Sequence, residues 1–154
     1  MLKLVFILLF ALVVKTQVFA NSSCDNYLND CQYYTCIEAS KHCGKKGYLL
    51  SFGNKYCHKF ANKSEKFSLQ GRLWMNQVRD CLIRQLDHLN PEVSCRKYKQ
   101  AAIDQHGPCY INSGYCELPD KDKNVILKII RDSLWKPTLF KAGITVLRQC
   151  ARRS

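Results

Sequence analysis

The sequence predicts an all-α fold: a small, disulfide-stapled helical domain of about five helices and five disulfides. Three observations predict it. Apolar residues recur at helical spacing in several segments, strand signals are weak throughout, and ten cysteines, an even number, punctuate 154 residues. One domain is expected at that length, because two would each be too small to hold a good core. An apolar content of 47% excludes a disordered chain.

Residues 1–20 read as a secretory signal and residues 21–154 as the domain. Lys3 supplies the positive start, and residues 4–14 are an apolar run too short to span a bilayer comfortably. Lys15 interrupts the run, and Val18-Phe19-Ala20 fits the positions before a cleavage site. Cleavage removes two lysines and no cysteine. The protein is therefore expected to be secreted and extracellular. In that oxidising setting an even cysteine count reads as a disulfide framework and not as metal ligands. Spacing alone leaves the connectivity open.

The elements follow in order. Residues 24–43 carry Cys24, Cys31, Cys36 and Cys43 and suggest short helical turns at best. Gly44-Lys45-Lys46-Gly47 is a loop by composition, and Gly53-Asn54 marks a second turn. Residues 55–64 look helical, with Tyr56 and Phe60 on one side. The clearest amphipathic helix begins near Ser68 and places Leu69, Trp74, Val78, Cys81, Leu82 and Leu86 on one stripe. Gly71 weakens it locally, and Asn90-Pro91 ends it. The next helix starts after Ser94, faces inward with Tyr98, Ala102 and Ile103, and closes at Gly107-Pro108. Asn112-Ser113-Gly114 is a turn. Asp120 reads as the N-cap of a helix through Trp135, with Val125, Ile126, Ile129, Ile130 and Leu134 inward. Pro137 breaks the chain, and a last helix runs from about Thr138 to Cys150. Trp74 and Trp135 are both expected in the core.

Catalytic and metal-binding spacings are weak along the chain. His42, His58, His88 and His106 show no HExxH spacing. Cys57 beside His58 suggests a thiol nucleophile, but a cysteine held in a disulfide offers no thiolate. A phospholipase A2 reading lacks its Cys-Cys and His-Asp dipeptides, and no GxSxG elbow occurs. Asp120 and Asp122 lack the further ligands of an EF-hand, so a helix-capping role is preferred. An enzyme is thus not expected, and no cofactor or metal is assigned. Asn21-Ser-Ser23 and Asn62-Lys-Ser64 are N-glycosylation sequons. Asn62 is the better acceptor, since Asn21 would be the first mature residue.

The gaps between successive cysteines are 7, 5, 7, 14, 24, 14, 14, 7 and 34 residues. Together with Cys57-His-Lys-Phe60, Phe67-Ser-Leu-Gln70-Gly71, Cys81-Leu82 and Cys109-Tyr110 followed by Cys116, this series resembles the stanniocalcin family of secreted glycoprotein hormones. The resemblance covers Cys24 to Cys150. It implies a helical core and the pairs Cys24–Cys36, Cys31–Cys57, Cys43–Cys95, Cys81–Cys109 and Cys116–Cys150. It also implies a hormone-like role in calcium and phosphate balance, or inhibition of a secreted metalloprotease of the pappalysin group. The family carries a further cysteine that links two chains. None follows Cys150 here, so a monomer or a non-covalent dimer is expected.

The formal charge of +12 comes from 24 Lys and Arg against 12 Asp and Glu. Lys45-Lys46, Arg96-Lys97-Lys99 and Arg152-Arg153 are separate clusters in the sequence, and Lys128, Arg131, Lys141 and Arg148 add to the C-terminal helices. Such charge suits a receptor or protease with an acidic face, a sulfated glycosaminoglycan or an anionic lipid surface. Nucleic acid is not an expected partner of a secreted chain. The leading expectation is a regulatory protein that binds a receptor or a secreted protease. The alternative is an effector or toxin-like protein acting at membranes or channels.

Overall fold

A computed structural model describes residues 24–90 and 92–152. The signal segment, Asn21 and Arg153 lie outside them. Among the described residues there is no strand. The described residues form seven α-helices: α1 (Gln32–Lys41), α2 (Lys55–Ala61), α3 (Leu69–Asp87), α4 (Cys95–Asp104), α5 (His106–Asn112), α6 (Asp120–Ile130) and α7 (Pro137–Ala151). Five disulfides join Cys24 to Cys36, Cys31 to Cys57, Cys43 to Cys95, Cys81 to Cys109 and Cys116 to Cys150, with Cα separations of 5.2 to 5.8 Å. These are the pairs that the family resemblance implies. The fold is the small, all-α, disulfide-stapled domain expected, with more helices than the five counted from periodicity.

The departures have local causes. Residues 24–43 hold a ten-residue helix, α1, where only short turns were expected. Tyr33, Tyr34 and Ile37 give it a buried face, and bridges at Cys31 and Cys36 fix it where its weak amphipathic pattern would not. Gly53-Asn54 is not a turn. Leu49–Asn54 is a wide, π-type helical stretch that runs directly into α2. Gly53 is there for close approach, because a Cβ on it would lie 2.5 Å from the Tyr34 ring. Gly107-Pro108 does not close a helix either. Only Gln105 separates α4 from α5. Pro108 is the third residue of α5, in the first turn where its missing N–H has no intrahelical role.

The long helix α3 opens as its sequence suggests. Ser68 caps it, its hydroxyl accepting from the Gly71 N–H at 3.1 Å. Its inner face is Trp74, Met75, Val78, Ile83 and Leu86. Leu69, expected inside, is 68% exposed, because the cap sets the first turn outward. Gly71 is no weak point. It is buried against Asp122, whose carboxylate would lie 2.5 Å from a Cβ there. Asp122 is 0% exposed and accepts from both the Ser68 N–H, at 2.8 Å, and the Ser68 hydroxyl. The first turn of α6 thereby secures the start of α3. Asp120 itself is the first residue of α6, with Pro119 at the cap position.

The end of α6 comes earlier than Trp135. The helix stops at Ile130, and Arg131–Ser133 tightens into a 3₁₀ turn. Lys136 must be extended before Pro137, with φ −82° and ψ 120°. That reversal throws Trp135 into solvent, 89% exposed and not in the core as expected. Pro137 then starts α7 at the position proline favours.

The apolar side chains gather in two clusters. One holds Tyr33, Tyr34, Leu49, Ile83, Leu86 and Tyr98 between α1, the π-type stretch, α3 and α4. The other holds Phe67, Trp74, Val78, Leu118, Ile126 and Ile129 between α3 and α6. Each fully buried large side chain contributes roughly 1.5–3 kcal/mol.

Replacing Asp122 with alanine strips the Ser68 N–H and hydroxyl of their acceptor and is expected to lower stability by about 2–3 kcal/mol. Gly53→Ala, which forces a methyl into the Tyr34 ring, is expected to lower it by about 1–3 kcal/mol. Leu69→Ala, at the surface, should stay within about 0.5 kcal/mol. Urea denaturation of the disulfide-intact protein measures all three. Equal midpoints for the Asp122 and Leu69 variants would refute the cap.

Candidate functional site

The Cys43–Cys95 bridge, with Cα atoms 5.6 Å apart, joins two basic segments separate in sequence. On one side α1 ends at His42 in the left-handed region, with φ 52°. The loop that follows turns through Gly44, at φ 82°, and folds back so tightly that a Cβ on Gly47 would lie 2.8 Å from that of Cys43. Glu38 accepts the Gly44 N–H and pins the turn. Lys45 and Lys46 stand exposed at its tip. On the other side Ser94 caps α4, its hydroxyl accepting from the Lys97 N–H at 3.4 Å. Arg96, Lys97 and Lys99 project from the first turns into solvent. The free N–H groups of the helix start add a partial positive charge. Lys41 lies alongside, its ammonium donating to the Val93 carbonyl and standing 5.4 Å from the Tyr98 ring centre. Glu92 is an exposed acid close by in sequence. The bridge thus ties the exposed cations of the loop to those of the first turns of α4 by a covalent bond.

A second feature is formed by α6 and α7. α6 packs on α2, whereas α7 packs on α5 and α4. The two helices rest mainly on different neighbours, and an apolar groove of about 350 Å³ is lined by both. Leu127, Phe140 and Leu147 form its exposed lips, and Ile126, Leu139 and Val146 its floor. Beneath it lies a smaller cavity of about 70 Å³ that reaches Trp74, Met75 and Val78. Phe52, His106, Tyr110 and Ile130 wall both spaces. The Lys136 ammonium stands 5.7 Å from the Phe52 ring centre.

His106 sits in this wall with its Nδ1 2.8 Å from the Ala102 carbonyl and its ring edge-on to Tyr48 and Phe52. Burial lowers its pKa, against a smaller opposing effect of the backbone carbonyls beside it. It is neutral at physiological pH. Burial likewise raises the hydroxyls of Tyr34, Tyr48, Tyr98 and Tyr110 well above the ordinary phenol value. Tyr33 is raised by burial first, then by Tyr98 and by Asp87, to which it donates at 3.0 Å.

The remaining candidates do not converge. Cys57 is bridged to Cys31 and cannot act as a thiol beside His58. Among the described residues no group of three His, Cys, Asp or Glu could hold a metal ion. Asp120 and Asp122 do not act together, since Asp122 is spent on the α3 cap. Asn62 is exposed where α2 ends, open to modification. The groove was not foreseen. Its signal was an apolar stripe on α6 and α7 too wide for one inward face: Leu127, Phe140 and Leu147 had no place in the expected core.

No family model, no curated protein and no solved structure matches this chain. The protein class rests on the molecule itself: a small all-α domain stapled by five disulfides. That framework fits a secreted or extracellular protein. No helix among the described residues is long and apolar enough to cross a membrane.

Neutral, buried His106 makes stability depend on pH. In acid the unfolded chain binds a proton at this residue below ~pH 6.5, while the folded protein does not. Stability therefore falls as pH drops through that value, and it continues to fall until the lowered folded pKa is reached. Urea midpoints at neutral pH and in mild acid should show the loss. His106→Gln should flatten this part of the profile.

Proposed function

We propose that this is a secreted, hormone-like regulatory protein that acts by binding an acidic protein partner and not by catalysis. The observation that carries this reading is the joining of Lys45 and Lys46 to Arg96, Lys97 and Lys99 across the Cys43–Cys95 bridge. A rigid cationic face loses little side-chain and loop freedom on docking and draws an acidic partner in from a distance. The cysteine framework's resemblance to stanniocalcins supports a receptor or a secreted pappalysin-type metalloprotease as that partner. A role in calcium and phosphate balance would then be an outcome of signalling, with no calcium held in this chain. A sulfated glycosaminoglycan offers similar charge and is the natural competitor for the face. A second reading, an effector at membranes, draws support from exposed Trp135 beside Lys136.

The quadruple change Lys45→Glu, Lys46→Glu, Arg96→Glu, Lys97→Glu is expected to weaken saturable binding to cell surfaces, or to an immobilised pappalysin-type protease, at least ten-fold. Raising salt should erode the parent's affinity more than the variant's. Full binding by the variant sinks the proposal. Loss of cell binding after enzymatic removal of sulfated chains assigns the face to glycosaminoglycan. Uptake onto protein-free anionic vesicles favours the membrane reading.

A further inference from the structure

We propose that the groove between α6 and α7, together with the cavity beneath it, is a binding site for a single-chain anionic amphiphile, with a long-chain fatty acid as the simplest example. This goes beyond the protein-binding face, which lies elsewhere in the fold.

Size is the first argument. A space of about 350 Å³ falls within the range of small-molecule sites, and a neighbouring cavity of about 70 Å³ that shares four of its lining residues reaches Trp74. Phe52, His106, Tyr110 and Ile130 line both spaces, so movement of these side chains is all that a ligand chain needs to reach from one into the other. A peptide helix is about 10–12 Å across and does not enter a cavity of that volume. A flexible hydrocarbon chain does.

Chemistry is the second. The groove walls are mostly carbon, and two of the polar groups that line them are engaged elsewhere. The Ser133 hydroxyl donates to the Ile130 carbonyl at 2.6 Å, and the Lys123 ammonium donates to the Cys116 carbonyl at 3.0 Å. Water gains few partners here, and a polar ligand would forfeit its own hydration.

Charge is the third. Lys136 stands over Phe52 at the groove, and Lys128, Arg131, Lys141 and Arg148 are exposed on the flanking elements. Asp132, the acid nearest this end of α6, is engaged by Lys59 at 3.8 Å and by Arg131 at 3.5 Å. An acid headgroup at the mouth would meet cations. A second copy of this chain would bring the same cations face to face in a twofold contact, which disfavours it as the occupant.

The chain has two tryptophans, at Trp74 and Trp135. Trp135→Phe therefore leaves Trp74, at the inner end of the cavity, as the only indole reporter. The probe is a stearic acid carrying bromine on its chain, which quenches indole fluorescence at close range. It is titrated into the disulfide-intact Trp135→Phe protein below its micelle-forming concentration. The expected result is saturable quenching of Trp74 with one ligand per chain. Gly143→Leu should weaken it at least ten-fold by filling the groove. A Cβ on Gly143 meets only Leu134, at 4.0 Å, so that variant has room to fold. Lys136→Glu, an exposed change, should weaken the acid about ten-fold and leave its methyl ester unaffected.

Four outcomes overturn the proposal: quenching of Trp135 in the parent without quenching of Trp74, quenching only in the presence of phosphatidylglycerol vesicles or micelles, undiminished binding by both variants, or absence of ligand binding with a concentration-dependent dimer in sedimentation. The last would assign the groove to a second copy, and the vesicle result would assign it to a membrane surface.

Discussion

Helices this short do not stand alone in water. Isolated segments below about 12–15 residues are marginal even with favourable sequences, and α2 and α5 have only seven residues each. The covalent ties resolve this. Cys57 within α2 is bound to the start of α1, and Cys109 within α5 is bound to the middle of α3. α4 is fastened at its first residue by Cys95, and α7 in its last turn by Cys150. Each bridge contributes about 2–4 kcal/mol, chiefly by restricting the unfolded chain. Because every short helix is anchored at a point, the apolar faces need only complete the packing and do not have to drive it unaided.

The helix without a cysteine shows how the same constraint is met by other means. α6 is preceded by Cys116, and its own attachment is the buried Asp122, which takes the place of a bridge by accepting two hydrogen bonds from the residue that caps α3. A carboxylate buried so completely is tolerated because it is fully engaged. The glycine at position 71 makes room for it. α6 is thereby fixed to α3 and α2, while α7 is fixed to α5 and, through Cys150, to the segment before α6. The two helices are held at separate places, and the groove is the space those anchor points leave between them.

Much of this was legible in the chain. The all-α class, the start of α3 near Ser68 and the start of α4 after Ser94 follow from helical periodicity. What escaped was long-range. Gly53, Gly71 and Gly107 read locally as breaks, yet the first two are demanded by a tyrosine ring and a carboxylate from distant segments. Trp135 read as core by its size, yet the proline two residues later turns it outward. The basic clusters were visible singly. Their union depends on the Cys43–Cys95 pair, which spacing alone leaves undetermined and only the family resemblance implies. The groove was hidden for a similar reason: a sequence shows that α6 and α7 carry excess apolar residues, but not that the two helices pack mainly on other neighbours and leave those residues open.

A rigid scaffold changes what a surface can carry. In an uncross-linked domain of this size, a net charge of +12 and an open apolar groove both favour expansion or rearrangement: the cations repel, and helices flanking an empty space tend to close over it. Here the start of α6 is fixed by buried hydrogen bonds and the end of α7 by a disulfide, so closing the groove at that end would have to distort either the Asp122 cap or the Cys116–Cys150 link. The same reasoning applies to the basic face, where Lys45 and Lys46 cannot drift from Arg96 and Lys97 while Cys43 is bonded to Cys95. Cross-linking therefore does more than offset a small core. It holds charge and apolar surface in arrangements that packing alone would relax, and such preorganised surface is what a binding protein needs.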